Sequence, residues 1–177
     1  MKPFDNAQGI ARLTLAFILI VAAAASCARK IETPPAKEFQ FGARRVQLVV
    51  PEGWEALDHG SLKRFRKGEF QIVLTYLGNR MMRPFANTDQ LIDWALEELG
   101  HNQRREVKSR REVTIDGRKA LDIETWQRLD HTNPQRFLFV IDDNDLLALY
   151  TEGMAFQDTL AAFDAIRDSL HFVSARP

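Results

Sequence analysis

Apolar residues recur at every second position over much of the chain beyond residue 39. In residues 44–50, RRVQLVV, Val46, Leu48 and Val50 alternate with Arg45 and Gln47, the two-residue period of a half-buried strand. Pro51-Glu52-Gly53-Trp54 follows as a turn, and Trp54 is expected to lock into the core behind it. Residues 61–66 and 69–77 read as a hairpin about Lys67-Gly68, with Phe70, Ile72, Leu74 and Tyr76 sharing a face. Residues 104–115 and 119–128 form a second, turned at Asp116-Gly117; Leu121, Ile123 and Thr125 alternate with Asp122, Glu124 and Trp126. Residues 135–141 and 146–151, on either side of Asp142-Asp143-Asn144-Asp145, are almost continuously apolar. Strands of that kind are covered on both faces, so this pair is expected at the centre of the sheet.

Two segments change the period to that of a helix. The first starts at an Asn87/Gln90 capping pair or at Thr88, carries Leu91, Ile92, Ala95, Leu96 and Leu99 on one stripe, and stops at Gly100. The second spans about residues 156–172 and carries Phe156, Leu160, Phe163, Ile166 and Leu170. Strands, a helix, four strands and a helix, joined by short turns, predict an α+β sandwich: a largely antiparallel sheet with two packed amphipathic helices.

The N-terminus follows neither pattern. Residues 13–25, LTLAFILIVAAAA, form an apolar run behind Lys2 and Arg12, with Thr14 its one polar member. The run is too short to span a bilayer, which takes about 20 residues, and it fits the apolar core of a secretory signal peptide. It ends at Ala24-Ala25-Ser26-Cys27, and Cys27 is the sole cysteine of the chain. This segment resembles bacterial lipoprotein signal peptides, although leucine is commoner than alanine at the Ala24 position. The resemblance implies diacylglycerol on the Cys27 sulfur and cleavage between Ser26 and Cys27. It also implies outer-membrane sorting in a two-membrane host, because Ala28 stands where an aspartate would mark inner-membrane retention. An ordinary signal peptide cut after Ala23-Ala24-Ala25 and an uncleaved anchor are the two other readings of the segment. Two acyl chains anchor stably where one binds marginally.

On the lipoprotein reading the chain divides into a signal peptide, residues 1–26, a lipidated tether, 27–38, and one domain, 39–177. Pro34-Pro35 makes the tether extended and semi-rigid. Cleavage removes Lys2, Asp5 and Arg12 and leaves a net charge near −1, from 24 basic and 24 acidic residues in the whole chain. That balance provides no field for nucleic acid.

The order of elements, the strand closing in Pro51-Glu52-Gly53-Trp54, the segment DGRKALDIE (116–124) and the terminal helix with Phe163, Ile166, Ser169 and Leu170 are similar to the PsbP-like superfamily. DcrB-type envelope lipoproteins belong to that superfamily. The resemblance covers about residues 40–174. It implies a PsbP-like α/β sandwich and leaves the activity open, since a fold hosts many functions.

Candidate chemistry is sparse. His59, His101, His131 and His171 share no metal-ligand spacing, and Ser61 lacks the glycine frame of a nucleophile elbow. Asp142-Asp143-Asn144-Asp145 lacks the alternating ligands and glycine of a calcium loop and reads as a polar turn. No catalytic residue, metal or cofactor is expected. Two stretches remain as candidate interaction surfaces. Residues 78–86 place Met81, Met82 and Phe85 beside Arg80 and Arg83, residue types enriched at interfaces, or else a loop folded over the core. Residues 104–111 hold Arg104, Arg105, Lys108, Arg110 and Arg111; strand alternation would set Arg105 and Arg111 against Arg104, Lys108 and Arg110. They form either an edge strand guarded by charge or a contact for an anionic surface. The expected role is a membrane-anchored, non-enzymatic binding or accessory protein for an envelope partner. A carrier of a small apolar ligand between sheet and helices is the alternative, and a hydrolase is disfavoured.

Overall fold

The computed structural model describes residues 34–77, 88–99, 105–127, 134–142, 145–152 and 157–173. Ten strands and two helices occupy them: β1 (Lys37–Phe41), β2 (Arg44–Leu48), β3 (Glu55–His59), β4 (Leu62–Lys67), β5 (Phe70–Leu77), α1 (Thr88–Leu99), β6 (Arg105–Ile115), β7 (Arg118–Gln127), β8 (Gln135–Asp142), β9 (Asp145–Glu152), α2 (Gln157–Ser169) and β10 (His171–Phe172). Seven strands form one antiparallel sheet in the order β3-β4-β5-β9-β8-β7-β6, and β1-β2-β10 form a second, small sheet. The expected α+β sandwich is the observed architecture.

The large sheet is packed on both faces. On one face Ile72, Leu74, Leu138, Val140, Leu147 and Leu149 meet Phe163 and Ile166 of α2, and Phe39, Phe41, Val46 and Leu48 of the small sheet. On the other, Val73, Phe137, Phe139, Ala148 and Tyr150 meet Ile92 and Ala95 of α1. Phe137 stacks with both Phe139 and Tyr150, at ring-centroid separations of 6.0 and 5.9 Å. Central placement of β8 and β9 follows from their apolar runs, because only a strand covered twice can bury every side chain.

The turns also follow the sequence. Asp116 (φ 48°) and Gly117 (φ 79°) place two successive residues in the left-handed region, the geometry of a type I′ hairpin turn, which Asp-Gly adopts at low cost.

Three features differ from expectation. The first strand begins at Lys37, and β3 occupies residues 55–59, where no strand was expected. The last helix ends at Ser169. Leu170 and Phe172 fit a helical stripe, yet His171 and Phe172 pair with Gln47 and Val46 of β2. Ser169 Oγ donates to helix carbonyls at Ala165 (2.8 Å) and accepts the Val49 N–H (2.9 Å), tying the helix end to the small sheet. Finally, Trp54 packs against the core only half-buried, its backbone N–H donating to the Pro51 carbonyl at 3.1 Å.

Candidate functional site

Asp122 lies on the β7 face that meets α2. Its carboxylate is 3% exposed. Arg136 of β8 donates to it twice, Nε to Oδ1 at 3.0 Å and Nη2 to Oδ2 at 2.7 Å. Arg167 of α2 adds a third contact at 3.2 Å and Arg111 of β6 a fourth at 3.4 Å. Asp164 bridges Arg136 and Arg167 at 3.0 and 2.9 Å. Hydrogen bonding to Asp122 raises the Arg136 pKa above its ordinary value, despite burial.

A second centre forms around Asp142, also 3% exposed. Tyr76 Oη donates to Oδ2 at 2.8 Å and Arg118 Nε to Oδ1 at 2.8 Å, with Arg44 at 3.4 Å. Arg118 also lies 3.8 Å over the Phe172 ring. These groups line a cleft of about 380 Å³ at the seam of the two sheets. Burial alone pushes the Asp142 pKa up. The hydrogen bonds from Arg118 and Tyr76, together with the neighbouring arginine charges, outweigh it and hold the carboxyl below its usual range. Burial and the bond to Asp142 push the Tyr76 phenol far above its usual range. The Asp142 carboxylate, the Tyr76 phenol and the Arg136 guanidinium therefore keep one protonation state across neutral pH. They clasp strands together and do not exchange protons there.

The basic stretch forms β6, an edge strand of the large sheet. A bulge between Val107 and Ser109 shifts the register against β7 and redirects Lys108. Lys108 meets Glu124 at 2.9 Å and lies 4.1 Å over the Trp126 ring, on the face that carries Arg111. The simple alternation that grouped Lys108 with Arg110 is broken by this one extra residue. Arg110, on the opposite face, pairs with Asp89 in the first turn of α1. Two clefts of about 370 Å³ flank the strand, one between β6, β7 and α1, the other towards α2; Glu112, Val113 and Thr114 border both.

Of the other candidate residues, Arg105 lies in the β6 backbone. Cys27, Arg80, Met81, Met82, Arg83, Phe85 and Arg104 fall outside the described residues. The two aspartate centres were not anticipated. Their partners lie between 11 residues away, for Arg111 and Asp122, and 98, for Arg44 and Asp142, and no local pattern marks them. No helix among the described residues is long and apolar enough to cross a membrane.

The fold has solved counterparts. Cyanobacterial PsbP from Synechocystis sp. PCC 6803 superposes with a TM-score of 0.54 at 12% identity, over 81% of this chain and 96% of that one. The fold is PsbP-like. The Ran-binding protein Mog1p of Saccharomyces cerevisiae is similar too, with a TM-score of 0.52 at 11% identity over 78% and 95% of the two chains. No family model matches the sequence, and the search of curated proteins finds no match.

Proposed function

We propose that the chain is a lipid-anchored cell-envelope protein whose PsbP-like domain is a non-enzymatic binding or accessory module for another envelope protein. The observation that carries the anchor is the sole cysteine, Cys27, directly behind a 13-residue apolar run and Ala24-Ala25-Ser26. With Ala28 next, the protein sits at the outer membrane facing the periplasm if its host has two membranes. Support for a binding role comes from the long charged edge of β6. A protein-binding role is also one that this scaffold carries in the Ran-binding protein Mog1p.

The carrier reading is weaker. Side chains fill the space between sheet and helices on both faces: Phe137, Phe139, Ile92 and Ala95 on one, Phe163, Ile166, Leu138 and Leu149 on the other, each no more than 1% exposed. A ligand would have to displace a packed core.

Palmitate labelling tests the anchor. Wild-type protein is expected to incorporate label and to partition with membranes, and Cys27→Ser to do neither. Unchanged labelling of the variant would end the lipoprotein reading. Affinity purification from detergent-solubilised membranes tests the binding role, which predicts an envelope protein that co-purifies in fixed ratio.

A further inference from the structure

The two edges of the seven-stranded sheet are unequal. β3 has five residues and β6 has eleven. Beyond the bulge, Ser109–Ile115 pairs with β7 in unbroken register, so its outer side presents seven consecutive residues of regular strand. Among the described residues β6 has a strand neighbour on one side only. Such an edge is a template for another strand, and the bulge blunts only its first part.

The charges along this segment are complementary to themselves. Arg110 and Glu112 lie on one face, with Arg111 between them on the other. A second copy, turned by a two-fold axis normal to the sheet through Arg111, runs antiparallel. Arg110 of each copy then lies opposite Glu112 of the other, and Ser109 opposite Val113. Sliding the copies by one step that keeps faces matched sets Arg110 opposite Arg110, or Glu112 opposite Glu112. A half-step would match opposite faces, which a buried-face sheet forbids. Of these registers only the one centred on Arg111 sets unlike charges opposite. Glu112 is exposed and forms no ion pair among the described residues, so it is available for the contact. Arg111 meets its own copy at the axis, where each side chain is exposed to solvent and contacts Asp122 at 3.4 Å. The flanking clefts leave room on both faces for the partner's side chains.

We infer that two copies of the chain associate through β6, antiparallel about Arg111, joining their large sheets edge to edge with reciprocal Arg110–Glu112 pairs. Such an interface is isologous and closed, and it does not depend on the lipid anchor.

Light scattering on the full-length protein in detergent, with the detergent mass subtracted, is expected to give a dimer. Glu112→Arg disturbs no ion pair among the described residues and sets like charges opposite at two places, which should weaken the dimer roughly tenfold or more. Arg110→Glu should do the same; a melting curve monitors its loss of the Asp89 contact. A mixture of the two variants again opposes unlike charges and should recover the dimer. Directly opposed Cα atoms in an antiparallel pair are about 4.5–5.5 Å apart, within disulfide range. Arg111→Cys should therefore cross-link on oxidation, and Glu55→Cys on β3 should not. A wild-type monomer at every concentration, a dimer unmoved by Glu112→Arg, a mixture that stays monomeric, or equal cross-linking from Arg111→Cys and Glu55→Cys overturns the inference.

Discussion

Arg136 grips Asp122 through two hydrogen bonds, at 3.0 and 2.7 Å, across the pairing of β7 with β8. The planar fork of a guanidinium matches a carboxylate in this way, and lysine cannot replace it. Through Arg167 the same carboxylate reaches α2. It thus fixes the helix over the sheet as well as two strands to each other.

The cost of breaking this cluster depends on which member is removed. Asp122→Ala leaves Arg136, 13% exposed, without its main counter-charge. Loss of one partner of a buried pair costs about 3–5 kcal/mol. Arg111 is 64% exposed and its contact is longer, so Arg111→Ala should change stability by no more than about 0.5 kcal/mol. Urea unfolding of both variants measures the contrast, and equal losses would refute the assignment of Asp122 as the hub.

Acid should loosen the seam between the sheets. The Asp116 carboxyl accepts the Phe172 N–H at 2.8 Å; that bond, and then the nearby His171 and Arg118, hold its pKa below the ordinary value. Asp142 is depressed as well. A group whose folded pKa lies below its unfolded value contributes stability that is present above the unfolded pKa and is lost as pH falls through the folded one. The unfolded value is about 3.9, so the loss begins near pH 4 and deepens below it. Asp116→Asn keeps a residue that tolerates the left-handed turn and removes the charge. Combined with Asp142→Asn, it should lower the melting temperature at neutral pH and flatten its fall below about pH 4. A double variant with the wild-type slope would show that other carboxylates dominate.

Trp54 provides a smaller, local test. It is half-buried against the core on the α2 side of the large sheet, not enclosed. Trp54→Ala should cost about 2 kcal/mol, less than the 3–5 kcal/mol typical of an aromatic removed from a sealed core. The midpoint of chemical denaturation distinguishes the two.

What the sequence carried was the large sheet apart from its edge strand β3. The apolar runs of β8 and β9 placed them centrally, and Asp116-Gly117 and Lys67-Gly68 marked hairpins, because those signals are local. The small sheet was not legible, since β10 is two residues long and pairs with a strand more than a hundred residues earlier. Leu170 and Phe172 satisfy a helical period as well as a strand's, and only contact with β2 decides between them. The same holds for Asp122 and Asp142. Asp122 stands in its strand as ordinary polar alternation and Asp142 reads as the start of a polar turn, although the structure makes it the last residue of β8; their arginines arrive from distant segments. At β6 the basic character was legible but the faces were not, because one bulge residue reverses the alternation.

Lys63 is the polar residue that alternation least explains, and it yields the last prediction. It is 2% exposed in β4, facing the small sheet, with its ammonium 4.9 Å from the Phe41 ring centroid and 2.5 Å from Asp58 Oδ1. Asp58, in contrast, is largely exposed. The aliphatic stem fills space beside Phe41, while the head reaches a single carboxylate at the surface. The stem and the charge therefore contribute separately. Lys63→Met keeps the length and removes the burial of charge. Replacing a buried ion pair by an apolar residue of similar volume is often neutral or stabilising, so this variant should melt at or above the wild-type temperature. Lys63→Ala removes the stem and opens a cavity beside Phe41, at a cost of roughly 2 kcal/mol. Asp58→Asn keeps the packing and weakens the counter-charge, and should fall between the two. If Lys63→Met destabilises as much as Lys63→Ala, the ammonium itself holds the small sheet in place and the packing account is wrong.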